Sequence, residues 1–275
     1  MALPPDFQFS QSSMQDFVAC ARRFQLRYIE RLKWPAVEAE PVLEHERRMR
    51  QGDLFHHIVH QHLTGVPTEV LANTIPDDTI RRWWDNYLRS GLSGLPENRH
   101  SEITLSTPLG KYRLLAKYDL LALEPNARVV IVDWKTTEKR PKREKLQAQL
   151  QTIVYRWVLV NAGTHLNGGK VNPEAVEMVY WFTEHPEQPE RFSYDAAQFE
   201  RDADYLAGLV ADIERRGEKD FELTDDELHC RFCTYRSLCQ RGVKAGDFRV
   251  GDDEIDSGGD ILLDFNFDQI AEIEF

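Results

Sequence analysis

Leu114-Leu-Ala-Lys117-Tyr-Asp119-Leu-Leu-Ala-Leu123, followed by Val129-Val-Ile-Val-Asp133-Trp134-Lys135-Thr136, is the stretch on which the fold turns. Each half is an apolar run of strand length, and Pro125-Asn126 between them is a turn signal. Each half also carries a carboxylate inside that run. Side chains alternate along a strand, so Asp133 and Lys135 share one side and Trp134 takes the other. Charge in an apolar sheet is costly unless it is paired or bound to a cation. Two readings meet that requirement: ion pairs of Asp119 and Asp133 with Lys117 and Lys135, or a hard-cation site with an ammonium beside it.

Working outward, Ile103–Thr107 reads as a third strand, joined to the first by the turn signal Pro108-Leu109-Gly110, so the centre of the chain is a β-meander. Before it, Ser12 or Ser13 can cap a helix in which Met14, Phe17, Val18, Ala21, Phe24, Tyr28, Ile29 and Leu32 recur at helical steps until Pro35 ends it. Further helices are expected over Glu44–Leu63 and Asp78–Leu88, the latter bulky with Trp83, Trp84 and Tyr87. After the meander come a helix over Glu144–Val160, a strand over Val176–Phe182 and a helix over Ala196–Arg216. Helices, three strands, helix, strand, helix describe an α/β chain.

The chain has 275 residues, 41% hydrophobic and 29% charged, enough to bury a full core and to exclude wholesale disorder. No run approaches the roughly 20 apolar residues of a membrane helix. The start, MALPPDFQFS, offers neither the basic nor the apolar part of an export signal, so a cytoplasmic protein without membrane contact is expected. The net charge is −12, but residues 251–275 hold nine acids and no base; without them the remainder stands at −3, and a local basic site is compatible with it. Gly163-Thr-His-Leu-Asn-Gly-Gly169-Lys170-Val171 lacks the spacing and the hydroxyl residue of a phosphate loop, so no ATPase motor is expected.

Two helices add polar residues at one-face spacing: Gly52-Asp-Leu-Phe-His56 in the second, and Gln151 with Tyr155 in the one after the meander. Taken singly, a helical His or Tyr is more often a packing residue. In order, however, Gly52-x-x-x-His56, Asp119, Asp133-x-Lys135 and Gln151-x-x-x-Tyr155 resemble the motif series of the PD-(D/E)XK nuclease superfamily, in its RecB-like branch. The resemblance implies a restriction-endonuclease-like core, a mixed sheet flanked by helices, that hydrolyses phosphodiesters. It implies His56, Asp119, Asp133 and the backbone carbonyl of Trp134 as ligands of magnesium or manganese. Lys135 would act on the water and the phosphate, with Gln151 and Tyr155 positioning the lysine or the strand.

Cys230-Arg-Phe-Cys233-Thr-Tyr-Arg-Ser-Leu-Cys239 places three thiols at C-x2-C-x5-C spacing, with Cys20 remote on the first helix. In a cytoplasmic chain such thiols point to metal rather than disulfides, and the spacing serves a four-iron four-sulfur cluster or a tetrahedral zinc equally. One upstream and three downstream cysteines around this core also resemble the iron-sulfur subgroup of RecB-like nucleases, found in AddB-type recombination nucleases and CRISPR-associated exonucleases. That resemblance implies a 4Fe-4S clasp joining the two chain ends, and a single-strand DNA exonuclease of repair, recombination or CRISPR-linked processing. A catalytically idle iron-sulfur DNA-binding or scaffold subunit of a helicase-nuclease assembly is the alternative.

The stretch 135–145, KTTEKRPKREK, directly follows the acid-bearing strand, and Lys139, Arg140, Lys142, Arg143 and Lys145 are its candidates for the nucleic-acid backbone. Arg22, Arg23, Arg27 and Arg31 could extend that track, with Trp83 and Trp84 as stacking groups, though core packing is the expected role of at least one of them. The expected organisation is a nuclease domain over 1–245 and an acidic tail over 246–275. That tail could dock a helicase or another repair protein, or cover the basic cleft.

Overall fold

The three central strands are β2 (Asn98–Leu109), β3 (Tyr112–Glu124) and β4 (Arg128–Lys135), and they form the expected meander. The computed structural model describes residues 3–4, 6–33, 40–217, 221–231 and 233–242; Pro35 and the acidic tail lie outside them. Gly110 at φ +61° makes the β2–β3 turn, and Asn126 at φ +60° the β3–β4 turn, where Ala127 N–H donates to the Glu124 carbonyl at 2.9 Å. Both turn signals therefore work through left-handed backbone, which glycine and asparagine tolerate best.

Beyond β4 the sheet continues through β5 (Val176–Phe182), parallel to it, and β6 (Glu190–Ser193), antiparallel to β5. β1 (Gln8–Ser10) runs parallel to Arg113–Leu115 of β3, on the part of that strand which β4 leaves uncovered. The short β1 and β6 carry too few residues for a strand period and were not legible in the sequence.

Helices cover both faces. On one side Met14 and Phe17 of α1 (Gln11–Ala19), Val154, Val158 and Leu159 of α7 (Leu150–Ala162), and Leu206 and Ile213 of α9 (Ala196–Arg216) pack on Leu114, Leu121, Ile131 and Met178. On the other, α3 (Glu40–Leu63), α4 (Thr68–Ala72) and α5 (Asp78–Asn86) supply Phe55, Ile58, Leu71, Trp83 and Trp84 against Leu120, Val130, Val132 and Val179. Trp83 and Trp84 are buried, so these indoles are core rather than stacking groups.

Two predicted helices are broken, each for a local reason. The first divides at Cys20, whose backbone is extended, into α1 and α2 (Ala21–Phe24), and continues as a π-turn over Gln25–Ile29. The break lets Arg23 and Arg27 turn back onto the buried Asp16 carboxylate, at 2.8 and 3.2 Å. The second divides at the extended Gln149 into α6 (Arg143–Ala148) and α7, after which the short α8 (Thr164–Asn167) follows Gly163. The segment from Phe221 to Tyr235 packs beside α2 and the turn after it: Arg22 N–H donates to the Glu222 carbonyl at 3.2 Å, Tyr235 Oη donates to the Leu32 carbonyl at 2.9 Å, and Phe24 stacks on Phe221.

Candidate active site

Strand register assembles the site. In the β2–β3 ladder Ser101 faces Leu120 and Ile103 faces Tyr118, which places Glu102 opposite Asp119. In the β3–β4 ladder the last pair at this end is Leu120 with Val132, so Asp133 stands one step on, again across from Asp119. Three carboxylates therefore occupy one row on three adjacent strands. Like charges placed opposite each other destabilise a sheet, so the row calls for positive charge.

The backbone is irregular at this row. Leu114, Ala116 and Tyr118 of β3 face the α7 side, and so do Leu121 and Leu123, while Leu120 and Ala122 face the α3 side. The alternation thus slips by one at Asp119. Glu102 opposite it has φ +56°, a left-handed value costly for a residue with a side chain in a strand. Asp119 is brought to the rim of the sheet, within reach of His56 on α3 and of the β4 main chain. His56 Nδ1 lies 3.3 Å from Asp119 Oδ1, and Trp134 N–H donates to Asp119 Oδ2 at 2.9 Å.

One ligand atom each from His56, Glu102 and Asp119 lie within 4.8 Å of one another, the only such set of three or more His, Cys, Asp or Glu groups among the described residues. Two carboxylate oxygens and an imidazole nitrogen are a donor set that fits a hard dication. The electrostatics agree: burial alone would lower His56, but Asp119 above all, then Asp133 and Glu102, raise it to about 9. The Asp119 carboxyl, which burial would raise, is held below the usual range by His56, the Trp134 N–H and Lys135. These carboxylates favour a cation at His56.

Asp133, 4% exposed, is turned to the other half of the site. Its Oδ2 is 3.0 Å from Lys135 Nζ and its Oδ1 accepts from Gln151 Nε2 at 2.5 Å; Lys135 Nζ also donates to Gln151 Oε1 at 2.9 Å. The alternation of β4 explains this, because Asp133 and Lys135 both face α7, where Gln151 opens the helix. Lys135 Nζ further lies 5.4 Å from the centre of the Tyr180 ring. Tyr155 packs its ring 5.0 Å from that of Tyr118, and its carbonyl accepts from Tyr118 Oη at 2.8 Å, one layer below Gln151. Trp134 brings its main chain to the site while its indole is buried on the opposite face. Of the two lysines read as partners for the acids, Lys135 does pair with Asp133, whereas Lys117 ion-pairs with Glu102.

Glu102 is the site residue that sequence reading missed. A two-residue turn centred on Gly110 and Lys111 folds it onto Asp119, so the turn signal held the clue once the hairpin was counted out. Gly52 has a packing role: a Cβ there would stand 2.9 Å from Thr136 Oγ1, just past the end of β4.

Two arginines of the basic stretch are tied to the sheet. Arg140 and Arg143 both bind Glu190 at the start of β6, and they lie over Phe182 and Phe192. They brace the edge of the sheet. Arg22 pairs with Glu30, and with Arg23 and Arg27 on Asp16 that part of the track is engaged internally.

The four cysteines are near enough for charge on one thiol to act on another, but no three of them come within 4.8 Å. Burial raises the Cys233 thiol to about 11 and raises Cys230 and Cys239, and charge on the other thiols adds to each, Cys20 acting on Cys230 and Cys239. Arg23, Arg22, Arg236 and Arg241 act in the opposite direction.

A sequence profile of the PD-(D/E)XK nuclease superfamily matches residues 8–240. No curated protein matches the chain in sequence. Among solved structures, an inferred exonuclease of Eubacterium rectale aligns with TM-score 0.50 at 12% identity, covering 80% of this chain and 85% of its own. The protein SSO0001 aligns with TM-score 0.40 at 12% identity, over 85% of this chain and 86% of its own. At such identity the first likeness speaks for a shared fold, a mixed sheet flanked by helices. No helix among the described residues is long and apolar enough to cross a membrane. With the profile spanning the β-meander, the acid row and the lysine beside it, the chain belongs to the PD-(D/E)XK nuclease superfamily.

Proposed function

We propose that this protein is a magnesium- or manganese-dependent deoxyribonuclease, acting as an exonuclease on single-stranded DNA. The observation that carries the reading is the row Glu102, Asp119 and Asp133, with His56 at one end and the Lys135–Gln151 pair at the other. His56, Glu102 and Asp119 would hold the ion, with Asp133 and the Trp134 carbonyl beside it. When bound, the ion supplies the positive charge that polarises a phosphodiester and acidifies water. Lys135, oriented by Gln151 and Asp133, donates to the phosphate and stabilises the charge that builds on its oxygens. Tyr155 supports the layer that fixes Gln151. The inferred exonuclease activity of the Eubacterium rectale protein supports an end-directed enzyme. The absence of a phosphate loop leaves unwinding to a separate helicase in a repair, recombination or CRISPR-linked setting.

The test is degradation of end-labelled single-stranded DNA with Mn2+ or Mg2+ by anaerobically purified wild type beside Asp133→Ala and Lys135→Ala. Cleavage by wild type and its loss in both folded variants is the expected result. No cleavage of single-stranded, duplex or flapped DNA by wild type would favour the idle binding or scaffold subunit.

The cysteine clasp belongs to the same proposal, as a 4Fe-4S cluster on Cys20, Cys230, Cys233 and Cys239. Four thiolates on one zinc with bonds of 2.3 Å stand about 3.8 Å apart. No three of these thiols lie within 4.8 Å of one another, and the arginines beside them suit the negative charge of a cluster. Cys233→Ala should bleach visible absorbance and destabilise the protein by about 4 kcal/mol, the scale of closing a long loop. Wild type that carries zinc with neither iron nor sulfide would overturn this assignment.

A further inference from the structure

The site holds a second ammonium that the nuclease reading leaves without a task. Lys117 lies on β3 two residues before Asp119 and ion-pairs with Glu102, one of the three groups that converge as a ligand set. The two lysines differ in setting. The Lys135 side chain is 18% exposed and fixed between Asp133 and Gln151, whereas that of Lys117 is 34% exposed, at the open side of the row. A lysine head on a four-carbon stem can exchange partners at little cost.

The charges of the row give this a direction. Glu102, Asp119 and Asp133 set against Lys117 and Lys135 leave one net negative charge when His56 is neutral. A dication on His56, Glu102 and Asp119 reverses this to one net positive charge, the complement of one phosphodiester. With that cation bound, Glu102 would serve it rather than Lys117, whose ammonium would be left beside like charge.

We propose that Lys117 is a phosphate-binding residue whose contact with DNA is switched on by metal: the ion takes Glu102, and Lys117 passes from that carboxylate to a phosphate of the strand. Lys135 serves the reacting phosphate; Lys117 grips a phosphate oxygen on the β2 side. Metal and DNA then bind with positive coupling, each raising the affinity of the other by the same factor. The inference rests on the nuclease reading above.

Three proteins test it: wild type, Lys117→Gln and Lys117→Arg, each checked for wild-type circular dichroism. Mn2+ binding is measured by titration calorimetry without DNA. Binding of a fluorescent single-stranded oligonucleotide is measured by anisotropy across a salt series, with Ca2+ and with EDTA, the oligonucleotide being verified intact on a gel. For Lys117→Gln the expected results are Mn2+ binding as tight as wild type or tighter, and Ca2+-supported DNA binding weaker by about tenfold. The slope of log K against log salt should fall by about 0.7, the value for one lost phosphate contact on a single strand. In EDTA the variant and wild type should bind DNA alike, and Lys117→Arg should restore both affinity and slope. Unchanged DNA affinity and slope with weaker Mn2+ binding would overturn the proposal and make Lys117 a support for Glu102. An equal loss of DNA binding in EDTA would overturn the metal switch. Wild type that binds DNA without cleaving it under any metal refutes the nuclease reading while the switch is still decided by these binding curves; wild type that binds no DNA refutes both.

Discussion

Two polar clusters hang from the same helix and differ in how their charge is closed. Gln151, at the start of α7, serves the acid row; Arg156, little more than one turn later, serves a network with α9. Arg156 is 3% exposed. Its Nε donates to the Thr152 carbonyl at 2.9 Å, its Nη1 to the Ser193 carbonyl at 3.2 Å, and its Nη2 lies 3.7 Å from Asp202 Oδ2. Asp202 also accepts from Tyr194 Oη at 2.8 Å and Gln198 Nε2 at 2.6 Å. One cation meets one anion there, each with several hydrogen bonds. The acid row brings three carboxylates against two lysines, and the protein completes it by raising His56 toward protonation. The cluster that serves the fold closes its charge with fixed partners; the site closes its own with a proton on His56, a place that a dication can take.

The sharpest way to break this comparison is to disable each cluster and read both activity and stability. Asp133→Ala and Lys135→Ala should each lower cleavage by about a thousandfold, the scale of losing a preorganised stabilising group. Asp133→Ala, which removes one of three facing carboxylates, should leave the melting temperature level or raise it, whereas Lys135→Ala, which leaves Asp133 its Gln151 amide but takes its ammonium, should lower it modestly. Asp202→Ala should act on stability instead: by leaving a buried guanidinium unpaired it should cost about 3 kcal/mol in denaturant melts, with cleavage per folded molecule retained. If Lys135→Ala unfolds the protein, or if Asp202→Ala cleaves poorly while folded, the division between the clusters fails.

Smaller effects sharpen it. Glu102→Gln should weaken Mn2+ binding by about tenfold, because carboxylate count sets the affinity of such sites. Calorimetry that shows unchanged affinity would remove Glu102 from the ligand set. The smallest effect is a pH dependence of the metal-free protein. His56 is raised from its ordinary value to about 9, so the stability it contributes is complete below pH 6.5 and is lost as pH rises through about 9. In EDTA, melts of wild type should show this decline and those of His56→Gln should not. Saturating Mn2+ should flatten the wild-type curve, because the ion replaces the proton.

Much of the site was written in short-range pattern. The apolar runs around Asp119 and Asp133 marked strands, and the step from Asp133 to Lys135 fixed a shared face, because strand alternation is a property of the local backbone. The spacing of Gln151 and Tyr155 gave a helix face in the same way, and Gln151 accepts from the lysine. The basic stretch was legible only as charge: a charge run does not reveal its partner, and the Glu190 that Arg140 and Arg143 bind lies on a strand too short to be recognised beforehand. The broken first helix had a similar cause. Its apolar period is continuous, and the extended Cys20 answers to the buried Asp16 and to the segment packed beside α2.

By itself, then, the sequence determined the α/β order, the strands that carry Asp119, Asp133 and Lys135, and the thiol spacing at the end of the chain, all properties of neighbours within a few residues. Only the tertiary structure decided that Glu102 joins Asp119, that Lys117 holds Glu102, and which arginines brace the sheet. These depend on the register between strands and on the packing of distant segments, where one residue of slip would turn a side chain to the opposite face.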